Sequence, residues 1–304
     1  MTNNIKLALV LIVLIFIMLA AVFFINTARF YFEKTFIQIF PVSYTKLWGA
    51  FTGNTASSLV DFQQQIGKRV DLNAVFVGWG DQFPFEVANV LKPNNQTLFI
   101  FWEQNSATLD EIISGKNDEY IKQFAEASKD FNGKIIIAPL HEMNGNWNAW
   151  GGTVGNNTPE KVISAFQHMH DLFIDAPNIK WAWVVNNVSV PDSPQNAITN
   201  YYPGNKYVDY VGIDGFNFGD PWQSYSEIFS KPLQQVRQYK KPIIIASIAS
   251  AQGEGKSIWI KDALLSMQND PDIVGFIWFN ENKEKNWLLS SDQKSLEEFK
   301  KTIK

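Results

Sequence analysis

The sequence predicts an α/β protein, a closed (β/α)8 barrel of the TIM type preceded by one N-terminal transmembrane helix, and three observations carry that reading. Eight apolar, β-branched runs alternate with longer helix-compatible segments from residue 44 to the C-terminus. No Gly-rich phosphate loop follows the first of these runs, which argues against an open doubly wound sheet. Ahead of them all, nineteen uncharged apolar residues run from Leu7 to Ile25.

The N-terminal run comes first. At 1.5 Å per residue a helix of that length covers about 28 Å, close to the hydrocarbon thickness of a bilayer. A cleaved signal peptide has a shorter apolar stretch, about 7–15 residues, ending in a small-x-small site. This run instead closes on Phe23, Phe24 and Ile25, and the small residues near Thr27 and Ala28 make a poor cleavage site. Residues 1–28 therefore read as an uncleaved anchor, 29–43 as an aromatic-rich linker and 44–304 as the barrel. Lys6 on one side and Arg29 with Lys34 on the other leave the orientation to be set by the nature of the globular domain.

The strand candidates are Tyr44–Ala50, Ala74–Gly78, Thr97–Trp102, Lys134–Pro139, Ile179–Val185, Tyr207–Ile213, Pro242–Ala246 and Ile273–Phe279. Near-continuous hydrophobicity marks strands buried on both faces, as in a parallel sheet, and the segments between them are long enough for crossover helices. The chain of 304 residues is 46% hydrophobic and 18% charged, enough to bury a large core. Its net charge of −4 gives no general attraction to nucleic-acid phosphates. With no cysteine it has no disulfide, thiolate metal site or cysteine nucleophile. Nothing in the sequence implies a cofactor or a metal. His168 and His170 read as solvated helix positions.

In such a barrel the functional face lies at the C-terminal ends of the strands. Those ends read Trp79, then Glu103, then His141, Glu142 and Asn144, then Asn186 and Asn187. They continue with Asp214, Phe216 and Asn217, then Ser247, then Asn280 and Lys283. Asn, Asp and Glu bind hydroxyls, and Trp102, Trp147, Trp150, Trp222 and Trp278 are read as faces for pyranose rings. Eleven tryptophans in all favour that use, since an indole pairs a flat apolar face with a hydrogen-bonding edge. Such a rim suits a neutral, polyhydroxylated ligand.

One motif carries chemistry. His-Glu-Met-Asn-Gly at 141–145 follows an apolar strand and precedes Asn-Trp-Asn-Ala-Trp-Gly-Gly. A zinc-protease His-Glu-x-x-His would need histidine at 145, which is Gly145. A glutamate at the end of an apolar strand beside two tryptophans suits a carboxyl with a raised pKa, the form a general acid takes. The motif resembles the acid/base motif of family 26 glycoside hydrolases. Asp214-Gly-Phe-Asn, Pro242-Ile-Ile-Ile-Ala, Gly255-Lys-Ser-Ile-Trp259 and Trp278-Phe-Asn-Glu-Asn-Lys283 with Trp287 extend the resemblance over nearly the whole barrel. It implies a retaining endo-β-glycanase plan acting on β-mannan or β-glucan, with Glu142 as acid/base and His141 and Asn144 orienting it or the sugar. It also implies a nucleophilic glutamate at the end of the seventh strand.

There the resemblance breaks. Counting five residues from Pro242 reaches Ser247, a hydroxyl without the charge that stabilises an oxocarbenium-like transition state. Phe216 stands where many family members carry a tyrosine that contacts the nucleophile. Loss of a nucleophile in another hydrolase class costs on the order of 10^6 in turnover. Glu281 and Glu103 remain as rim carboxylates, read as binding hydroxyls or bracing neighbours.

The expected protein is a membrane-anchored relative that binds a β-linked polysaccharide with little or no hydrolysis. Its barrel is expected on the extracytoplasmic side of the cell membrane, placed to receive polysaccharide from a membrane synthase or exporter. The alternative is an active endo-β-glycanase, a mannanase or mixed-linkage glucanase, whose nucleophile was replaced in this sequence.

Overall fold

Eight parallel strands pair in sequence order and close on themselves in the computed structural model, which describes residues 44–304. They are β1 (Leu47–Phe51), β2 (Leu72–Gly78), β3 (Thr97–Glu103), β4 (Lys134–Pro139), β5 (Ile179–Asn186), β6 (Tyr210–Asn217), β7 (Ile243–Ser250) and β8 (Ile273–Phe279). Closure is made by β8 against β1, in register from Leu47 opposite Gly275 to Phe51 opposite Phe279. The segments assigned to the anchor, 1–28, and to the linker, 29–43, lie outside the described residues. Among the described residues no helix is long and apolar enough to cross a membrane.

The main crossover helices are α1 (Ala56–Ile66), α2 (Phe85–Leu91), α3 (Leu109–Ile113), α4 (Asp118–Phe131), α5 (Pro159–Asp171), α6 (Tyr225–Val236), α7 (Lys256–Asn269) and α8 (Gln293–Thr302). Their starts are written in the sequence. Thr108 with Glu111, and Ser224 with Glu227, form reciprocal capping boxes at α3 and α6. Thr55, Thr158 and Asp292 cap α1, α5 and α8 through their side-chain oxygens. On α4 the buried Ile121, Phe124, Ala125, Ser128 and Phe131 recur at helical spacing and face the barrel.

Two strands, β6 and β7, run four residues past their expected ends. The sequence ends β6 at Ile213 and β7 at Ala246, yet they continue to Asn217 and Ser250. The polar residues there pair with one another: Asp214 stands opposite Ser247 and Asn217 opposite Ser250. Asn217 Nδ2 also donates to Ser250 Oγ at 3.3 Å, so these two buried groups are partnered, and the pairing resumes after a register shift between Ile213 and Asp214. Asp214 and Ser247 are thus strand residues, not loop residues beyond the strand.

The tryptophans are used mainly for packing. Trp48, Trp102, Trp150, Trp181, Trp183, Trp259, Trp278 and Trp287, eight of the eleven, are buried. Trp102 stacks on Phe124, with ring centres 4.7 Å apart. Trp278 packs edge-on against Trp259 of α7 and Phe299 of α8. Large rings fill the wide space between a barrel and its helices efficiently, which is why most of them face away from solvent.

Candidate functional site

A cavity of about 980 Å³ opens at the C-terminal ends of the strands, and every strand or the turn after it contributes to its wall. Phe51, Phe76, Phe216 and Phe279 give it apolar surface, while Glu103, Glu142, Asn186, Asp214 and Ser247 give it polar surface. Among the described residues no group of three or more His, Asp or Glu could hold a metal ion.

Glu142 is placed by a strained turn. Leu140 and Glu142 both adopt left-handed backbone, with φ of 54° each, which costs of order 1 kcal/mol or more apiece unless the surroundings impose it. Here they do. The fully buried Gln104 accepts from Leu140 N at 2.9 Å, Glu142 N donates to Val184 O at 3.0 Å, and Gly145 N returns to Glu142 O at 2.8 Å. Gly145 is required because a Cβ there would lie 2.3 Å from the Trp147 ring.

The Glu142 carboxylate accepts from Asn186 Nδ2 on Oε1 and from Trp147 Nε1 on Oε2, each at 2.7 Å. Burial raises its pKa against these two bonds and the Lys283 charge. Two neutral donors orient it without forcing it to stay ionised, which is the environment of a group that gives and takes a proton. His141 lies under this turn with its ring among Phe76, Phe101 and Trp150. Burial holds its pKa down to about 3, helped by Lys283, so the imidazole is neutral. Its Nδ1 is buried without a protein partner.

Asp214 and Ser247 face each other across β6 and β7, at 2% and 4% exposure. Burial first, and the Glu142 charge second, push the Asp214 carboxyl well above the usual range, against hydrogen bonds from the Ser247 main chain and hydroxyl. Asp214 Oδ1 has no protein partner. Glu103, also on the wall, is raised by burial.

The structure brings together Glu142, Ser247, His141, Trp147, Glu103, Asn186, Asp214, Phe216 and Lys283 on one cavity. Other expected contacts lie elsewhere. Trp278 is 1% exposed and donates from Nε1 to Trp287 O at 3.2 Å, so its faces are spent on the core and offer nothing to a sugar. Trp150 is likewise buried and ties down the turn by donating to His141 O at 2.8 Å. Asn144 is fully buried as a clasp: its Nδ2 donates to Asn186 O and Val188 O, and its Oδ1 accepts from Asn186 N. It orients Glu142 only through Asn186. Trp79 packs on Trp102 and Tyr120, away from the cavity wall. Trp222, outside the wall too, rests on Gly253 and Gly255.

The sequence reading passed over Gln104 and the aromatic wall. Phe51 and Phe279 are the last residues of β1 and β8, a position that could have marked them. Trp287 reaches the cavity from the loop after β8 and packs 5.2 Å from Phe216. That loop is held from beneath by Lys256, a fully buried lysine on α7 that donates to Asn286 O, Leu288 O and Ser291 Oγ. His168 and His170 are not free solvated positions either: one pairs with Asp118 at 2.6 Å, the other lies against Trp181 and Tyr207.

Comparison with known proteins agrees with this architecture. The description Glycosyl hydrolase family 26 matches residues 94–293. Endoglucanase H of Acetivibrio thermocellus is 35% identical over 271 residues, 84% of this chain and 30% of that protein. A mannan endo-1,4-beta-mannosidase of Bacillus subtilis is 27% identical over 156 residues, 48% of this chain and 39% of that protein. The chain thus spans well under half the length of these two relatives. The catalytic domain of a Bacillus sp. endo-beta-1,4-mannanase has a TM-score of 0.64 at 14% identity, covering 85% of each chain, a likeness of fold.

Proposed function

The chain belongs to glycosyl hydrolase family 26, and from that membership we propose that its cavity binds a β-linked polysaccharide of the β-mannan or β-glucan type with little or no hydrolysis. The observation that carries this reading is the pairing on one cavity wall of Glu142, set up as a proton donor, with Ser247, a hydroxyl where the family plan calls for a carboxylate. Retaining hydrolysis needs two carboxyl groups about 5–5.5 Å apart, one of them ionised to attack the anomeric carbon. Asp214 is the acid beside Ser247, and burial with the Glu142 charge keeps it from ionising readily. Trp147, Asn186 and Glu103 then serve as sugar contacts, and Phe216 with Trp287 forms an apolar floor.

The named activities of the relatives, an endoglucanase and a mannan endo-1,4-beta-mannosidase, support a β-linked glycan as ligand. The Leu7–Ile25 run supports a single-pass anchor, with the barrel on the extracytoplasmic side where polysaccharide from a synthase or exporter would meet it.

Calorimetry and mass spectrometry with mannan, mixed-linkage glucan, cellulose and β-1,3-xylan test the ligand and the chemistry together. The expected result is binding of at least one glycan without cleavage products. Turnover at enzyme-like rates, roughly 1–1000 per second, overturns the non-hydrolytic reading. Recovery of the chain in a membrane fraction, and its release on deletion of residues 1–30, tests the anchor.

A second reading, an endo-β-glycanase whose nucleophile was replaced in this sequence, is favoured by one observation: Glu142 keeps an acid's surroundings intact. The codon for residue 247 in the parental gene separates the two.

A further inference from the structure

We propose that the end of the barrel opposite the cavity is a docking face for anionic phospholipid headgroups, so that the barrel stands on a bilayer with its cavity turned away from the lipid. The proposal rests on the membrane-anchor reading above.

Charge is sorted between the two ends of this barrel. In a (β/α)8 barrel the segments from helix to strand lie at the N-terminal end of the strands, and those from strand to helix lie at the cavity end. The segments from each helix named above to the next strand, with the first two residues of that strand, carry eight Lys and Arg against four Asp. The segments from each strand to the next such helix, with the last two residues of that strand, carry eight Asp and Glu against two Lys. A chain of net charge −4 thus holds a basic face at one end.

The cations that make this face are Lys68, Arg69, Lys92, Lys134, Lys240 and Lys241, drawn from the turns before β2, β3, β4 and β7. None of the six pairs with a carboxylate among the described residues. Acids at this end are engaged by other cations, Asp270 and Asp272 by Arg237 and Asp209 by Lys180. Lys68, Lys92, Lys134 and Lys241 donate instead to the main-chain oxygens of Ile303, Phe131, Asn95 and Asn205, which fixes their place and leaves their charge uncompensated. Arg69 and Lys240 are exposed. Keeping Lys68 next to Arg69 and Lys240 next to Lys241 costs self-repulsion, and a polyanionic surface relieves it.

An apolar tip accompanies the charge. Ile174 is 84% exposed in the turn before β5, with the exposed Pro177 three residues on. A bilayer surface matches both features, because phosphates meet the cations while an apolar side chain reaches the acyl boundary. β1 begins at Leu47 at this same end, so the chain that precedes the barrel joins it here. Residues 29–43, read as the linker, span at most about 50 Å. An anchor ahead of them would keep the basic face within reach of the lipid.

The test uses the full-length chain, whose lack of cysteine allows one reporter to be placed at a time. Ile174→Cys at the basic end and Thr153→Cys in the turn after β4 at the cavity end each carry a polarity-sensitive dye. The labelled chains are reconstituted in nanodiscs of phosphatidylcholine alone or of an equal mixture with phosphatidylglycerol. The expected result is a blue shift of the dye at 174 in the mixed discs only, lost in about 1 M salt, where the screening length falls to about 3 Å. The dye at 153 does not respond. Arg69→Gln with Lys240→Gln lowers the ratio of docked to undocked chain about 25-fold, roughly fivefold for each cation, with far-ultraviolet circular dichroism unchanged. No response at 174 in mixed discs that hold the chain overturns the docking face and leaves the anchor standing. An equal response in both lipids also overturns it, since charge then plays no part, as does a response at 153 in place of 174. Binding of inorganic polyphosphate to the chain in phosphatidylcholine discs, with no response in the mixed discs, gives the face to a soluble polyanion and overturns lipid docking. Failure of the full-length chain to enter either disc sinks the anchor reading and this proposal with it.

Discussion

Trp147 Nε1 donates to Glu142 Oε2 at 2.7 Å, so an indole that is 48% exposed and the central carboxylate form one unit. The ring that a sugar would rest on also sets the acid's proton affinity. Trp147→Phe keeps most of the ring and removes a donor that favours the ionised form, so the Glu142 pKa moves further upward, as read by carboxyl carbon NMR. Trp147→Ala removes the ring as well and weakens oligosaccharide binding by about 1–3 kcal/mol in calorimetry.

Trp278 gives the opposite outcome. Its ring is enclosed by Trp259, Phe299 and the Trp287 carbonyl. Trp278→Ala therefore costs about 3–5 kcal/mol of stability, seen as a lower urea midpoint. Oligosaccharide affinity of the folded fraction stays near that of the parent. A full loss of affinity with unchanged stability would place the ring in the cleft after all.

Gln104→Met tests how the strained turn is held. Methionine keeps the volume but leaves the buried Leu140 N–H without an acceptor. The expected cost is about 1–3 kcal/mol in denaturant unfolding, accompanied by weaker glycan binding, because Glu142 sits two residues along the same turn.

The neutral His141 makes stability depend on acidity in a defined direction. Its folded pKa is held down to about 3 by burial and Lys283, against an ordinary value of 6.5. Between those values the unfolded chain binds a proton that the folded chain does not, so falling pH favours unfolding. Other titrating groups cancel in a comparison with His141→Gln. The unfolding free energy of the parent minus that of the variant falls by about 1.4 kcal/mol for each pH unit below 6.5. A difference that stays flat from pH 6.5 to 4 would mean the imidazole is protonated in place.

Ser247→Glu combined with Phe216→Tyr supplies the carboxylate and the hydroxyl that the proposed family plan calls for at these positions. Hydrolysis with retained anomeric configuration is the expected gain, and adding Glu142→Gln removes it, since an amide cannot donate and recover the proton. A double variant that binds glycan and never cleaves it would show that the wall has diverged beyond these positions.

Much of the barrel was legible in the sequence because buried parallel strands are written as unbroken apolar runs. β4 and β8 match their expected ends to the residue: β8 stops where the chain turns polar at Asn280, and β4 stops at Pro139, before Leu140 takes left-handed backbone. β6 and β7 run on because their polar residues pair across the two strands, Asp214 opposite Ser247 and Asn217 opposite Ser250, a pairing that no single run displays. The cavity residues that could be foreseen include Glu142, Asn186 and Asp214, which follow closely on the apolar runs of β4, β5 and β6 and so lie towards the cavity mouth. Gln104 was invisible, its role fixed by a partner 36 residues away. Trp278 misled for a related reason: a strand-end indole can point into the cleft or outward to the helices, and only the packing of Trp259 and Phe299 decides which.

Lys256 has a bearing on how such barrels exchange parts. Burial holds its ammonium down to about 8, and the group is satisfied by oxygens of Asn286, Leu288 and Ser291 in the loop that carries Lys283 and Trp287 to the cavity. A loop transplanted from another barrel would have to bring its own oxygens to that ammonium, or leave a cation stranded beneath the wall at a cost of several kcal/mol. The loop and the helix lysine are therefore one structural unit, and grafts of this loop should move position 256 together with residues 280–292.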